Sequence, residues 1–322
     1  MLPKSRIIST LILGLGVTLV VAGLLAPRFF HVDGRLPMDL KVTTFSITDD
    51  QASTRIMSDP GGRVVESPVT RQIHLEVQNP VDADAATVRV GTSLARGSQQ
   101  SDLDRLISAE VWNYRIDRLS GAALSPANVS DQPASPVREV EVDGIWVKFP
   151  SNAEQTTYEV FDQTLRESHP AVFQEELEMG GQTVYRYHQV IEPQNVAQRW
   201  NGVFNTTDFM NEDGSTEQGY LFHGVERDFF VDQNSGLIVD IQEKVDNYYG
   251  TADGEAREVV LEFDGEMSDE QVEERLNQAA EVPQQSTAQL IRWIIVGFGG
   301  LLILLGLAGS FGIFGGRNSP RR

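Results

Sequence analysis

Histidine and acidic side chains are the groups in this chain with the widest catalytic use, but their spacing forms no familiar catalytic motif. The five histidines are scattered and no two lie four residues apart, so the zinc-binding His-Glu-x-x-His pattern is absent. The sequence also has no Gly-x-Ser-x-Gly nucleophile turn and no glycine-rich phosphate loop. We therefore expect a protein that is not an enzyme, with no catalytic residue, no metal and no cofactor.

The acidic residues leave one enzymatic alternative open. Neighbouring pairs such as Glu175–Glu176 and Glu273–Glu274 are most simply solvated surface groups. A carboxylate-based glycan hydrolase or transferase remains an alternative, because the distance in space between two carboxylates defines such an enzyme. Residues 211–217 have the composition of a calcium loop but lack its alternating ligand positions, so they indicate no metal.

Aromatic side chains are concentrated between residues 139 and 187. One interpretation is an ordinary packed core. The other is an apolar cavity in which tyrosine hydroxyls orient a ligand. The sequence does not separate these interpretations. The candidate ligand-cavity residues are Trp146, Phe149, Tyr158, Phe161, Tyr185 and Tyr187.

Two apolar segments, residues 7–25 and 290–314, lie near the two ends of the chain. Each approaches or exceeds the roughly 20 residues that a membrane-spanning helix needs. Lys4 and Arg6 precede the first segment, and Arg317, Arg321 and Arg322 follow the second; such residues collect on the cytoplasmic side of a membrane. Arg28 and Arg292 lie near the opposite, outer ends of the segments, from which their side chains can reach the headgroups. All 46 acidic residues lie between residues 29 and 288. We therefore expect both termini to be cytoplasmic and the acidic middle region to be extracytoplasmic.

The first apolar segment is predicted to stay in place as a signal anchor. It is longer than the apolar region of a usual signal peptide, and Pro27 directly follows Ala26, where cleavage would be disfavoured. The expected organisation, in a bacterial plasma membrane, is a cytoplasmic tip (1–6), transmembrane helix 1 (7–26), an extracytoplasmic β-rich domain (27–288), transmembrane helix 2 (289–314) and a basic cytoplasmic tail (315–322).

The middle region has the patterning of an α+β domain with a curved antiparallel sheet. Apolar and polar residues alternate over 73–77 and 87–90, as in half-buried strands. The pattern Asp-x-x-Ser-Gly recurs at 117–121 and 232–236 and predicts two tight turns. The Pro- and Ser-rich segment 122–138 predicts an internal loop and a possible subdomain boundary.

Two further local predictions concern helices. A capping box that begins at Ser268 predicts a short helix that Pro283 ends. Small residues four apart predict that the two membrane helices pack closely, through Gly14, Thr18 and Ala22 in the first helix and Gly306 and Ser310 in the second. The net charge of −20 argues against nucleic acid as a partner, and the absence of cysteine excludes disulfides.

Several motifs, together with the two-span layout, resemble the actinobacterial porin PorA family, whose members are envelope membrane proteins. They are YRIDRLSG at 114–121, VKFP at 147–150, TY at 157–158, FD at 161–162, PAVF at 170–173, GQTVY at 181–185 and FVDQNSG at 230–236. The resemblance implies a role in lipomannan and lipoarabinomannan maturation, with a membrane glycosyltransferase or another envelope protein as partner.

The sequence therefore favours a membrane-anchored module that binds a lipid or lipoglycan in support of envelope glycolipid assembly. An oligomeric channel or a structural envelope protein is the second hypothesis. Because two nearly uncharged helices cannot enclose a polar pore, a channel would need several copies of the chain. The carboxylate-based glycan enzyme is the third hypothesis.

Overall fold

The computed structural model describes residues 4–29, 33–59, 62–97, 102–131, 136–211, 213–283 and 285–311. The chain divides into two compact units, one formed by its two ends and one formed by Gly34–Val282. The predicted basic tail at 315–322 lies outside the described residues.

The terminal unit contains helix α1 (Lys4–Phe29) and helix α4 (Gln285–Ser310). Within them, Ile7–Phe29 and Ala288–Ser310 are long and apolar enough to cross a membrane. The helices predicted from the two apolar segments are therefore present, and they pack against each other.

The glycines that bring α1 and α4 together are not the ones expected in α1. Gly16 and Gly23 are buried, whereas Gly14, Thr18 and Ala22 are exposed, so that predicted stripe is wrong. A Cβ atom on Gly16 would lie 2.7 Å from the carbonyl oxygen of Gly299 on α4. Gly306, the small residue predicted correctly, meets the backbone of Leu13 in the same way.

The spacing of these glycines gives the physical reason. Gly16 and Gly23 are seven residues apart, as are Gly299 and Gly306, and seven residues make two helical turns on one face. Only glycine lets two helix backbones approach this closely, whereas Thr18 donates its hydroxyl to the carbonyl of Gly14 in its own helix.

In the described parts of the second unit, thirteen strands form one antiparallel sheet that is open and not closed into a barrel. The strands are β1 (Thr44–Arg55), β2 (Val64–Val81), β3 (Ala85–Arg96), β4 (Leu106–Asp117), β5 (Ala127–Ser130), β6 (Arg138–Val140), β7 (Thr157–Asp162), β8 (Glu167–Met179), β9 (Gln182–Asn195), β10 (Thr206–Met210), β11 (Thr216–Asp232), β12 (Ile238–Gly250) and β13 (Ala256–Glu266). Their order in the sheet is β6-β5-β4-β3-β2-β1-β13-β12-β11-β9-β8-β7, and β10 pairs with β11 beside this path. This architecture confirms the predicted fold class.

The Asp-x-x-Ser-Gly segments form the predicted turns. The carboxylate of Asp117 accepts hydrogen bonds from the backbone and hydroxyl of Ser120, and the carboxylate of Asp232 does the same for Ser235. Gly236 follows with a φ of +71°, which glycine adopts at little cost. A third turn, after β7, lacks the serine and glycine of this motif, but the carboxylate of Asp162 likewise accepts from the backbone N–H groups of Thr164 and Leu165.

The composition of segment 122–138 predicts a continuous loop, but the structure shows that part of this segment forms strands. It contains β5 and the first residue of β6, at one edge of the sheet, while residues 132–135 lie outside the described residues. Ala127 and Val129 point inward and are fully buried, and Asn128 and Ser130 between them are exposed. This four-residue alternation outweighs the surrounding proline and serine residues because it buries two apolar side chains.

Helix α3 (Asp269–Ala280) starts at Ser268, whose hydroxyl accepts a hydrogen bond from the backbone of Gln271 as the capping box predicts. The short helix α2 (Asp102–Arg105) precedes β4. Glutamine side chains tie α3 to one end of the sheet, because Gln271 accepts from the backbone of Ser46 and Gln278 accepts from that of Val42. The start of β9 also contacts the helix through Gln182.

Asp240 on β12 is a buried carboxylate with an unusual environment. It is 7% exposed, and among the described residues its Oδ1 has no hydrogen-bond partner. Burial, together with the charges of Glu266 and Asp269, raises the pKa of Asp240 to about 6. The folded protein therefore holds this proton more tightly than the unfolded chain does, in which an aspartate has a pKa of about 3.9.

We predict that Asp240→Asn changes the pH dependence of stability. The contribution of Asp240 is most favourable below about pH 4, and it is lost as the pH rises through about 6. The variant should therefore gain up to about 2 kcal/mol in free energy of unfolding over the wild type at pH 7.5, and almost nothing at pH 4. Urea unfolding across this pH range measures the difference. A difference that is the same at every pH would contradict the prediction.

Candidate functional site

A largely apolar cavity lies inside the Gly34–Val282 unit. Six strands of the sheet line it, namely β1, β2, β3, β7, β11 and β12, together with α3 and the segment before β7. The cavity has a volume of about 50 Å³ that is available to the centres of water molecules. The apolar lining residues are Phe45, Ile47, Ile73, Leu75, Val90, Trp146, Val147, Phe161, Phe229, Ile238 and Ile241.

Charged side chains from four strands, β2, β7, β11 and β12, meet at the polar side of this cavity. Arg71 Nη1 lies 2.6 Å from Oε1 and 2.7 Å from Oε2 of Glu243, and Arg227 Nε lies 2.8 Å from Oε2 of the same carboxylate. Arg227 Nη1 also lies 2.8 Å from Oδ2 of Asp162. Glu243, Arg227 and Asp162 are all buried, so each charge has an opposite charge within reach where water does not screen it.

This ion network continues through His223, whose Nε2 lies 3.4 Å from Asp162 and whose Nδ1 lies 2.7 Å from Asn247 Oδ1. Burial alone would raise the pKa of Asp162, but His223 and Arg227 outweigh it and hold the pKa well below its ordinary value. Burial likewise opposes ionisation of Glu243, and the charges of Arg71 and Arg227 lower its pKa nonetheless. Both carboxylates are therefore ionised at neutral pH.

The network also borders a second, more polar cavity of about 100 Å³. Four side chains line both cavities, namely Arg71, Gln163, Arg227 and Glu243. The second cavity adds hydroxyl and imidazole groups, including those of Thr92, Ser108, Thr164 and His223. The interior therefore has an apolar part and a polar part that meet at the buried ion pairs.

Arg275 of α3 is the cationic group of the apolar cavity that lacks an ionic partner. It is 5% exposed, and its Nε donates to the carbonyl of Ile238 at 2.7 Å. Its guanidinium carbon lies 4.4 Å from the ring centroid of Phe45, in cation–π geometry. No carboxylate of the described residues forms an ion pair with it. Burial lowers the pKa of Arg275 to about 10, so it stays charged at neutral pH.

The structure divides the six predicted cavity residues into two groups. Trp146 and Phe161 line the apolar cavity, with their ring centroids 5.7 Å apart. The other four residues form an aromatic cluster beside it, in which the rings of Phe149 and Tyr187 stack 4.9 Å apart and the other contacts are edge-to-face. The full membership of this cluster is Phe149, Tyr158, Tyr185 and Tyr187, with Phe173 at its side.

Two tyrosine hydroxyls of that cluster bond to the chain itself. Tyr187 donates to the carbonyl of Glu154 at 2.6 Å, and Tyr158 accepts from the backbone N–H of Glu154 at 3.0 Å. Burial raises the pKa of both hydroxyls. These two tyrosines therefore fix the segment around Glu154.

The charged lining residues were not among the predicted site residues, although the strand pattern holds a signal for them. Arg227 shares one face of β11 with Val225 and Phe229, and Glu243 shares one face of β12 with Ile241 and Val245. Side chains two residues apart in a strand lie on the same face, so a charged residue between two such apolar residues also points into the core. Such a position needs a partner, because burying an unpaired charge is costly.

The remaining acidic candidates lie outside the cavity. Glu175, Glu176, Glu273 and Glu274 are exposed, as expected for solvated surface groups. In the calcium-like segment, Asp213 accepts hydrogen bonds from the backbone and hydroxyl of Ser215. Across the described ranges, no group of three or more His, Asp or Glu side chains has a metal-binding arrangement.

These features define a class of protein: a membrane-anchored domain with an open antiparallel sheet and an internal, mainly apolar cavity. The family model described as Porin PorA matches residues 8–308. The chain therefore belongs to the porin PorA family, which confirms the resemblance drawn from its motifs. The family and the two apolar helices together support a location in the membrane of the cell envelope.

Two curated relatives carry the name Porin PorA. The protein from Corynebacterium amycolatum is 28% identical over 196 residues, which cover 57% of this chain and 48% of the relative. The protein from Corynebacterium resistens is 22% identical over 220 residues, which cover 58% of this chain and 53% of the relative. The chain thus spans about half the length of the curated relatives it matches.

Proposed function

We propose that the Gly34–Val282 domain binds the apolar part of an envelope lipid or lipoglycan and is held at the membrane by α1 and α4. The observation that carries this proposal is the cavity itself, which has eleven apolar lining residues and a small number of charged groups on one side. Ligand sites are typically built in this way, from apolar walls with a few polar groups that fix orientation.

The size of the cavity limits what it takes in this conformation. A volume of about 50 Å³ measured by water centres corresponds to roughly four water molecules. An apolar space of this kind favours a short stretch of hydrocarbon over water. A longer acyl chain would have to displace lining side chains such as Trp146, which is only half-buried.

The proposal includes a position and a partner. The acidic domain faces the extracytoplasmic side and both termini face the cytoplasm, because Lys4 and Arg6 precede the first span and Arg317, Arg321 and Arg322 follow the second. From there the domain presents its ligand to a membrane glycosyltransferase or another envelope protein, and it performs no chemistry of its own.

A cavity-filling variant tests this function. We expect lipid extraction and mass spectrometry of the purified full-length chain to recover a bound amphiphile at about one per chain. Ile241→Phe adds bulk to the cavity wall and should reduce that amount several-fold. The matched control is Val190→Phe, because Val190 lies on the same sheet but is 50% exposed. Equal lipid in all three proteins would reject the binding function.

A channel is the second candidate, and the name Porin PorA of both relatives favours it more directly than it favours lipid binding. One copy cannot form a channel with these elements, since its sheet is open and its two spans are apolar. The candidate therefore requires an oligomer. It predicts discrete conductance steps when the full-length chain is added to planar bilayers, together with a stable oligomer in detergent. A monomer that carries no current would exclude it.

A further inference from the structure

We propose that the apolar cavity recognises an anionic amphiphile and that Arg275 binds its negatively charged group. This inference rests on the proposed binding function and adds the charge class of the ligand. It starts from a contrast between Arg275 and the other two arginines of the cavity. Arg71 and Arg227 are both neutralised by Glu243, and Arg227 also by Asp162.

Arg275 keeps hydrogen-bonding capacity that the protein does not use. The hydrogen bonds formed by the described residues involve its Nε alone, which donates to Ile238. Both terminal nitrogens are left as donors on a side chain that is 95% removed from solvent, since only 5% of the residue is exposed. A buried guanidinium normally has a carboxylate or phosphate partner, because desolvating an unpaired charge costs several kcal/mol.

The surroundings of Arg275 place this charge at the edge of a hydrocarbon-like space. Its guanidinium packs on Phe45, which lines the cavity together with Ile47 and Ile73. An anion at Arg275 would therefore have an apolar chain of the same molecule beside it. The geometry fits a carboxylate or phosphate, which a guanidinium binds with two parallel hydrogen bonds.

The acidic side chains near α3 do not serve as an ionic partner for Arg275. Asp240 and Asp269 lie on β12 and α3, but among the described residues the guanidinium of Arg275 forms its hydrogen bond with the carbonyl of Ile238 and with neither carboxylate. Burial is the main cause of the raised pKa of Asp240, and the charges of Glu266 and Asp269 add to it. The charge of Arg275 is thus available to a ligand and is not part of the buried ion network.

Brominated probes with one chain length and different head groups test the inference. Trp146 lines the cavity, and bromine quenches tryptophan fluorescence on contact. The full-length chain would be studied in neutral detergent at pH 7.5, with Trp293→Phe to remove the tryptophan of α4. The probes are 8-bromooctanoate, 8-bromo-1-octanol and (8-bromooctyl)trimethylammonium. A Trp146→Phe protein identifies the part of the quenching that comes from the cavity.

We expect 8-bromooctanoate to quench at concentrations about tenfold lower than 8-bromo-1-octanol, since a charge-assisted pair is worth about this factor. The trimethylammonium compound should be the weakest probe. In the Arg275→Gln protein, the quenching concentrations of the acid and the alcohol should differ by no more than about twofold. Arg275→Lys should keep most of the preference, and the exposed control Arg257→Gln should match the parent.

The outcomes separate the two levels of the proposal. Equal quenching by acid and alcohol in the parent overturns anion recognition and leaves the binding function standing. No quenching of Trp146 by any probe overturns both. If Arg275→Gln does not fold, the parent and Arg275→Lys proteins still decide the question, through the ratio of the concentrations at which the acid and the alcohol quench Trp146.

Discussion

Replacing Arg227 with methionine should lower the free energy of unfolding by about 3–5 kcal/mol, the cost of leaving buried charges without a partner. Arg227 is the shared partner of Glu243 and Asp162, and all three side chains are buried. Without it, Glu243 keeps Arg71 and Asp162 keeps His223. Urea unfolding of the full-length chain, followed by tryptophan fluorescence, measures the loss.

A surface ion pair on the neighbouring strands supplies the control. Lys244 and Asp264 lie 3.3 Å apart with more than half of each side chain exposed. Lys244→Met should cost less than about 1 kcal/mol, because water screens such a pair. Equal losses for Arg227→Met and Lys244→Met would show that the buried network contributes nothing beyond a surface pair.

A second test concerns the origin of the loss. If the penalty comes from uncompensated charge, then adding Asp162→Asn to the Arg227→Met protein should recover part of the stability, because Glu243 and Arg71 still neutralise each other. A further loss in this double variant would point to the hydrogen bonds of the Asp162 carboxylate, such as those from Thr164 and Leu165.

Gly236→Ala is expected to produce the second large effect, a loss of at least about 3 kcal/mol. Gly236 has a φ of +71°, in the left-handed region, and a Cβ atom there would overlap the carbonyl oxygen of Phe149. The backbone N–H of Phe149 donates to the carbonyl of Gly236 at 2.8 Å, so the two segments cannot separate without losing this bond. The shift in the urea midpoint measures the effect.

Gly181→Ala is the matched control, because it tests the left-handed backbone conformation at a position where an added Cβ atom meets no neighbour. Gly181 has a φ of +75°, and no atom lies within 4 Å of the position that a Cβ would take. Its substitution should cost only the backbone strain, about 1–2 kcal/mol. If both variants lose the same stability, the contact between Gly236 and Phe149 does not limit this turn.

Elements that depend on local pattern could be predicted from the sequence. The two membrane helices follow from unbroken apolar runs, and the turns follow from Asp-x-x-Ser-Gly, in which the aspartate bonds its own backbone a few residues later. The capped helix α3 follows from Ser268 and Gln271. Each of these signals lies within a few residues of the structure it determines, so no knowledge of the rest of the chain is needed.

Features that depend on distant residues could not be predicted in the same way. The helix contact uses Gly16 and not Gly14, because the facing surface of α4 decides which face of α1 is buried. The aromatic set divides because Trp146 and Phe161 face the cavity while Phe149 and Tyr187 stack beside it. The spacing of apolar residues along a helix or strand assigns each residue to one face of that element, but it does not show which residues of other elements pack against that face.

The sequence by itself determined that the chain has two apolar spans and an antiparallel β-rich domain, since hydropathy and alternation are properties of short segments. Only the tertiary structure decided that Arg71, Asp162, Arg227 and Glu243 neutralise one another while Arg275 has no such partner. These residues are up to about two hundred positions apart in the chain, and their charges interact because the sheet brings β2, β7, β11 and β12 around one interior of low dielectric constant.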